Sequence, residues 1–360
     1  MIFPLRYRLF LCLIILCLIL TSCQAGDHAL TTLMKSAEAT ATAPETVVPS
    51  PLPATATASP TVEQPLVILL AAPQAEATLA DELQSLVSDL AQKDGLRFQI
   101  RQSLSPEDLS AAVRLVIVLP PFEGVAELAH SAPQTQFLAI DFPGMSPAAN
   151  LSLIAPLGMR PDQQGFLAGY IAAMITPEWR VGVLSTSDTV AGMAARRGFI
   201  NGAIFFCGLC RQNYPPFYNY PLYAEMPSAS TAAEWQAAAD SLVNRYVKTA
   251  YVTPGSGDQA LLRYLTEAGV NLIGGASPPG DLRSRWVATI RPNVLPIVQT
   301  LWTDLLQGKG GVSLPVALEI SDIHPDLLSP GKENLARKFL QDLIGGLVDT
   351  GVDPLSGEER

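Results

Sequence analysis

Cys207 and Cys210 stand three residues apart in a chain with few other groups able to do covalent chemistry. Three chemistries are open to such a pair. Redox turnover wants it at a helix start, where backbone amides lower the thiol pKa; here it falls where the helical pattern beginning near Thr189 runs out. A zinc site wants further ligands, and neither a second pair nor a neighbouring His is present. A disulfide wants only an oxidising compartment, and so short a loop would add little stability. Beside the pair, Tyr214, Phe217, Tyr218, Tyr220 and Tyr223 crowd a proline-containing loop. Packing over the bridge is the default for them, with a cleft wall or a partner surface as alternatives.

Other searches for catalytic groups return nothing. His28, His130 and His324 have no metal spacing, and Gly308-Lys309-Gly310 lacks both the leading glycine and the trailing Ser or Thr of a phosphate loop. Asp322 and Asp326 read as solvated turn residues around His324. The expectation is a protein that is not an enzyme and takes no metal and no cofactor. A cleft between α/β lobes can still host chemistry, which keeps an enzyme as the minor alternative.

The elements that would position these groups alternate. Leu66–Leu70, Phe98–Ile100, Ala112–Leu119 and Phe137–Ile140 read as strands, with helices predicted over Leu79–Leu90 and Gly124–His130. Arg180–Leu184, Thr249–Val252, Asn271–Ile273 and Trp286–Ile290 read as further strands, among helices over Ala232–Tyr246, Ala260–Ala268 and Val294–Leu306. Such alternation gives parallel sheets with helices on both faces, and nearly 290 residues suffice for two lobes.

Residues 162–203 organise this pattern as helix, strand, polar loop and helix. Asp162 is expected to take amide protons of the first turn, and Gly165, Ala168, Gly169, Ala172 and Ala173 form a small-residue face suited to close approach against a sheet. In α/β folds ligands sit outside the carboxyl ends of strands. The candidate ligand-binding residues are therefore Gln74, Phe122, Asp141, Ser187, Asp188, Gly255, Gly257, Asp258 and Asp281. Phe122 is expected either to stack on a planar ligand or to sit in the lobe core, and Asp188 either to cap a helix or to face the ligand.

Residues 1–22 carry Arg6 and Arg8, then an apolar run from Leu9 to Leu20 that stops at Thr21, Ser22 and Cys23. This pattern reads as a lipoprotein signal with Cys23 the lipidated residue, against the alternative of an uncleaved anchor helix. It places the Cys207–Cys210 pair outside the cytoplasm, where a disulfide is the expected state. From about Ser36 to Pro65 the chain is rich in Ala, Thr and Pro without aromatic residues, so residues 23–65 are read as lipid anchor and disordered tether. A flexible coil of roughly 40 residues reaches about 35 Å. The chain holds 23 basic and 33 acidic residues, a net charge of −10. Signal removal would make that balance more negative, which argues against a nucleic-acid partner.

The helix FLAGYIAA, the strand VGVL, the Ser187-Asp188 loop and the helix RGFINGA at Arg197 to Ala203 together resemble the basic membrane protein family. Its members are lipoprotein receptors of ABC importers, some of which bind purine nucleosides. The resemblance implies a two-lobed type I periplasmic binding protein fold, three crossings between lobes, a ligand cleft between them, a small-molecule solute, an ABC permease partner and a monomer at the outer face of the cell membrane. Thr253 to Gly257 resembles the family's glycine loop, and Phe122 its aromatic residue. The implied division gives lobe 1 residues 66–156 with about 291–311, lobe 2 and hinge residues 157–290 with about 312–353, and a tail at 354–360. The family's ribose-binding Asp corresponds to Ala276, so nucleosides are expected to bind poorly and a less hydroxylated solute better. A partner-binding or sensory lipoprotein without transport function is the alternative.

Overall fold

The computed structural model describes residues 63–73 and 75–360. The signal, Cys23, most of the tether and Gln74 lie outside them.

The described chain forms two sheets of six strands each. In lobe 1, β1 (Leu66–Leu70), β2 (Arg97–Arg101), β3 (Val113–Val118), β4 (Gln136–Ile140), β5 (Leu151–Ile154) and β11 (Ser313–Leu314) run in the order β11-β5-β4-β3-β1-β2. All its pairings are parallel. The period-2 alternation of side chains sorts these strands' apolar residues onto two faces. Val67, Leu69, Leu115, Ile117, Leu138 and Ile140 meet helices α1 (Ala77–Lys93) and α7 (Leu295–Leu306). Ile68, Leu70, Val116, Val118, Phe137 and Ala139 meet α2 (Val125–Ser131). Every residue of β1 is buried, which is why LVILL shows no polar alternation.

Lobe 2 repeats the plan with β6 (Val181–Thr186), β7 (Leu222–Met226), β8 (Thr249–Val252), β9 (Asn271–Gly274), β10 (Trp286–Pro292) and β12 (Leu318–Ser321), in the order β12-β10-β9-β8-β6-β7. Only the β10–β12 pairing is antiparallel. Helices α3 (Pro161–Ile175), α4 (Val190–Cys207) and α8 (Pro330–Ile344) cover one face, and α5 (Ala232–Val243) and α6 (Gln259–Glu267) the other.

The chain passes between lobes at 155–160, 293–294 and 315–317. Pairing of Ser313 and Leu314 with β5 carries the second piece of lobe 1 past residue 311. The expected tail at 354–360 instead folds back on α4: Arg197 donates to the Gly357 carbonyl at 2.9 Å, and Val352 bridges Glu359.

Two expectations about α3 are corrected. Its glycine face meets α4, not a sheet. A Cβ at Gly165 would lie 1.9 Å from the Ala195 carbonyl oxygen, and one at Gly169 2.0 Å from that of Phe199. Gly198 and Gly202 on α4 face Asp162 and Phe166 at 2.1 and 1.9 Å in the same way, so each helix has glycines where the other's backbone passes. Asp162 does not cap the first turn either. Its fully buried carboxylate takes two bonds from Arg160, at 2.8 and 2.9 Å, and one from Thr350 Oγ1 at 2.7 Å.

Candidate functional site

The parallel strands of both lobes deliver their carboxyl-terminal loops to a shared cavity of about 780 Å³. Lobe 1 contributes Leu119 and Pro120 after β3, Asp141 after β4, and Glu76, Thr78, Leu79 and Glu82 from the start of α1. Lobe 2 contributes the first turn of α4, the loop Thr253–Asp258 after β8, and Gly274–Ser277 after β9. Three exposed aliphatic side chains, Leu157, Val190 and Leu355, also belong to its wall. A volume of this order holds a small organic molecule.

Helix starts turned toward such a cavity would ordinarily attract anions through their free amides. Here the chain's own oxygens take part of them at three helix starts. Glu76 accepts from Thr78 and Leu79 N at 3.1 and 2.6 Å, Thr189 from Gly192 N at 3.0 Å, and Asp258 from Leu261 N at 3.0 Å. The glycine loop is shaped by backbone conformation: Gly257 has φ +77°, and a Cβ there would strike Leu261 Cδ2 at 2.2 Å. Thr253 and Ser256 hydroxyls bond each other at 2.7 Å, and the Gln164 amide donates to the Ile290 carbonyl. Several polar side chains of the wall are thus already engaged.

The two arginines of the wall are engaged as well. Arg160 is held by Asp162, which raises its pKa further. Arg291 pairs with Glu319 at 2.8 Å and with Glu82. Glu82 belongs to lobe 1 and Arg291 to the end of β10, so this pair joins the lobes. Burial would lower the Arg291 pKa, but the two carboxylates outweigh it and raise it. Asp141 has no salt-bridge partner within 4.0 Å among the described residues. Its carboxyl is raised above the ordinary carboxylate range by burial, opposed only by a backbone N–H from Met159. Its backbone is left-handed at φ 63°.

Of the residues expected to bind ligand, Asp141, Gly255, Gly257 and Asp258 line this cavity. Four others do not. Phe122 packs into the lobe 1 core beside α2. Ser187 follows β6, where its N–H bonds the Met226 carbonyl at 2.9 Å. Asp188 accepts from Ser228 N and Oγ at 2.8 and 2.9 Å, which ties two loops together; the Ser228 amide holds its carboxyl below the usual range. The cap on α4 is Thr189. Asp281 is paired with Arg263 at the surface, at 2.8 and 3.1 Å.

Sequence reasoning passed over Glu76, Glu82, Arg160, Gln164 and Arg291. Glu76 was legible as an acidic residue just before a helical run; Arg291 was not, because Glu319 is distant in sequence and Glu82 lies across the cleft. Asp322 is not merely a solvated turn residue, since it accepts from Ser277 Oγ at 2.7 Å and Thr289 Oγ1 at 2.9 Å. Cys207 and Cys210 form a disulfide, with Cα atoms 5.0 Å apart. None of the nearby Tyr214, Phe217, Tyr218, Tyr220 and Tyr223 lines the cavity; Tyr220 is buried and donates to the Arg245 carbonyl.

No protein-family model matches this chain, and no curated protein sequence does. Solved structures do resemble it. An ABC transporter solute-binding protein from Conexibacter woesei superposes with a TM-score of 0.59 at 17% identity, covering 79% of this chain and 98% of its own. A transcriptional activator of the comK gene from Bacillus halodurans gives 0.57 at 14% identity, covering 78% and 98%. An ABC transporter solute-binding protein from Aeropyrum pernix gives 0.51 at 17%, covering 81% and 83%. At these identities the likeness is one of fold: the chain has the two-lobed, type I periplasmic-binding-protein-like architecture.

Proposed function

We propose that this chain is an extracytoplasmic solute receptor, tethered to the membrane through a lipid on Cys23, that closes its lobes on a small molecule and delivers it to an ABC permease. The observation that carries the reading is the cavity of about 780 Å³ walled by strand-end loops of both lobes. Three crossings join the lobes, a connection that permits hinge motion. Binding would favour the closed arrangement by its extra contacts there. The reading is one of binding, with no catalytic step and no cofactor assigned. The receptor works as a monomer.

Nucleosides suit this wall poorly. Among the described residues Trp286 is the sole aromatic one in it and is almost wholly buried, and Ala276 offers no carboxylate to a ribose diol. A solute with an apolar body fits better. The absent carboxylate also supports a second reading, a lipoprotein that senses a ligand or engages a protein partner without transport. The fold is shared with a transcriptional activator of the comK gene from Bacillus halodurans, so architecture alone does not choose between the two.

Mass spectrometry of small molecules released by heat from the natively purified protein tests the binding role. One solute at near-equal molar amount is the expected result. Protein that releases none, and whose melting temperature is unmoved by a concentrated small-molecule extract of its growth medium, would remove the reading. Co-isolation of the liganded protein with a permease favours import, and its absence with capture of another protein favours sensing.

A further inference from the structure

We infer that the solute is an organic cation, a protonated primary or secondary amine on an apolar body, whose N–H groups donate to the Asp141 carboxylate. This rests on the solute-binding reading above and adds the ligand's charge class.

The charge inventory of the cavity carries the inference. Among the described residues four carboxylates, Glu76, Glu82, Asp141 and Asp258, face two guanidinium groups, Arg160 and Arg291, with no lysine or histidine in the wall. Both guanidinium groups are already neutralised, Arg160 by Asp162 and Arg291 by Glu82 and Glu319. An anionic ligand would have to take one from its partner and leave a carboxylate unpaired. At three of the helix starts Glu76, Thr189 and Asp258 already take part of the amides an anion would seek. Glu76, Asp141 and Asp258 are met only by backbone N–H groups, so three of the four carboxylates have no counter-charge, and Asp141 is the one of them raised by burial.

The remaining chemistry narrows the class. A neutral polyol needs many free donors and acceptors, yet Thr253, Ser256 and Gln164 are engaged with the protein itself. A quaternary ammonium wants a cage of aromatic faces, and Trp286 is the wall's single aromatic residue, 3% exposed. An ammonium with N–H donors meets a carboxylate that lacks a counter-charge directly, in a charge-assisted hydrogen bond. Its alkyl or aryl body would lie against Leu157, Val190 and Leu355, which are otherwise exposed.

Calorimetry with three probes of one shape tests this on the full chain, freed of any co-purified solute by unfolding and refolding. Hexylammonium, hexanol and hexanoate differ only in head-group charge. Hexylammonium is expected to bind at least tenfold more tightly than hexanol, with hexanoate weakest. Asp141→Asn should reduce hexylammonium affinity at least tenfold, to the level of hexanol, and leave hexanol unchanged. Asn tolerates the left-handed backbone of this position and Asp141 has no side-chain partner to lose, so the variant should fold, and its melting curve checks that. Asp281→Asn, outside the cavity, should bind all three like the parent. Hexanol or hexanoate binding as tightly as hexylammonium, or hexylammonium binding unaltered by Asp141→Asn, would overturn the cationic class while leaving a solute receptor standing. No binding of any probe at millimolar concentration, in a protein that also releases no solute on heating, would overturn both.

Discussion

Gly202→Ala puts a methyl group where α4 crosses α3. An added Cβ would lie 1.9 Å from the Phe166 carbonyl oxygen, 2.7 Å from its carbonyl carbon and 2.9 Å from its Cα. Contacts under 3.0 Å are essentially never made by real Cβ atoms, so the two backbones must part by about 1 Å. The obstruction is backbone inside a helix, which cannot swing aside as a side-chain tip can. Parting also loosens the contacts at Gly165, Gly169 and Gly198, and a gap of about 0.5–1 Å forfeits a quarter to a half of each dispersion well. Overpacking of this kind costs about 1–3 kcal/mol, and backbone obstruction places this case at the upper end. Alanine's better helix propensity returns about 1 kcal/mol. The net expectation is a loss of about 2 kcal/mol, a fall in melting temperature of about 4 °C or more by circular dichroism. Gly331→Ala is the control. Gly331 opens α8 with nothing within 4 Å of an added Cβ, so the same substitution should leave the melting temperature unchanged or raise it. A Gly202→Ala protein that melts with or above the parent would refute the close-crossing explanation of the small-residue stripe.

Four further outcomes follow. The raised carboxyl of Asp141 favours the folded state below the unfolded carboxylate pKa, and that contribution is lost as pH rises through the folded value; Asp141→Asn should therefore melt above the parent at pH 7 when unliganded, with the difference closing as pH falls to about 4, and a lower melting temperature at pH 7 would contradict the assignment. In the same window hexylammonium affinity should fall on acidification, with Glu76, Glu82 and Asp258 the other wall carboxylates to be separated by the Asp141→Asn comparison. Tyr251 is fully buried in the lobe 2 core with its hydroxyl unpartnered, and burial pushes its pKa far up; Tyr251→Phe should leave stability unchanged or raise it by about 1 kcal/mol, measured by denaturant unfolding. Cys23→Ser should abolish partitioning into the detergent phase, and unaltered partitioning would favour an uncleaved anchor helix.

The lobe architecture was legible because it rests on local signals. LVILL in β1 has the length and composition of a doubly covered strand, and the helices after it carry their own apolar periodicity. What was missed was short or partly exposed: β5 has four residues, β7 (LYAEM) is largely exposed, and α8 (PGKENLARKFLQDLI) carries a thin apolar stripe among charges. The glycine face of α3 was recognised as a close-packing surface, but its partner was misassigned, since a helix and a sheet make the same demand for small residues. At the site, Asp141 and the Gly255–Asp258 turn were readable because strand ends point ligand groups into a cleft. Asp188 and Asp281 looked equivalent to them in sequence. Their partners, Ser228 and Arg263, are 40 and 18 residues away, and only the fold brings them close.

The central claim, that a solute is bound between the lobes, is tested most directly by obstructing the cavity without touching a core. Ala191 lies exposed in the first turn of α4 and lines the cavity, so Ala191→Trp adds bulk there with no buried neighbour to displace. Native mass spectrometry of the two full-length proteins, purified side by side, measures the solute each retains. The parent should carry one bound molecule, and Ala191→Trp should melt like the parent yet carry none. Equal solute occupancy in both proteins would contradict the assignment of this cavity as the binding site.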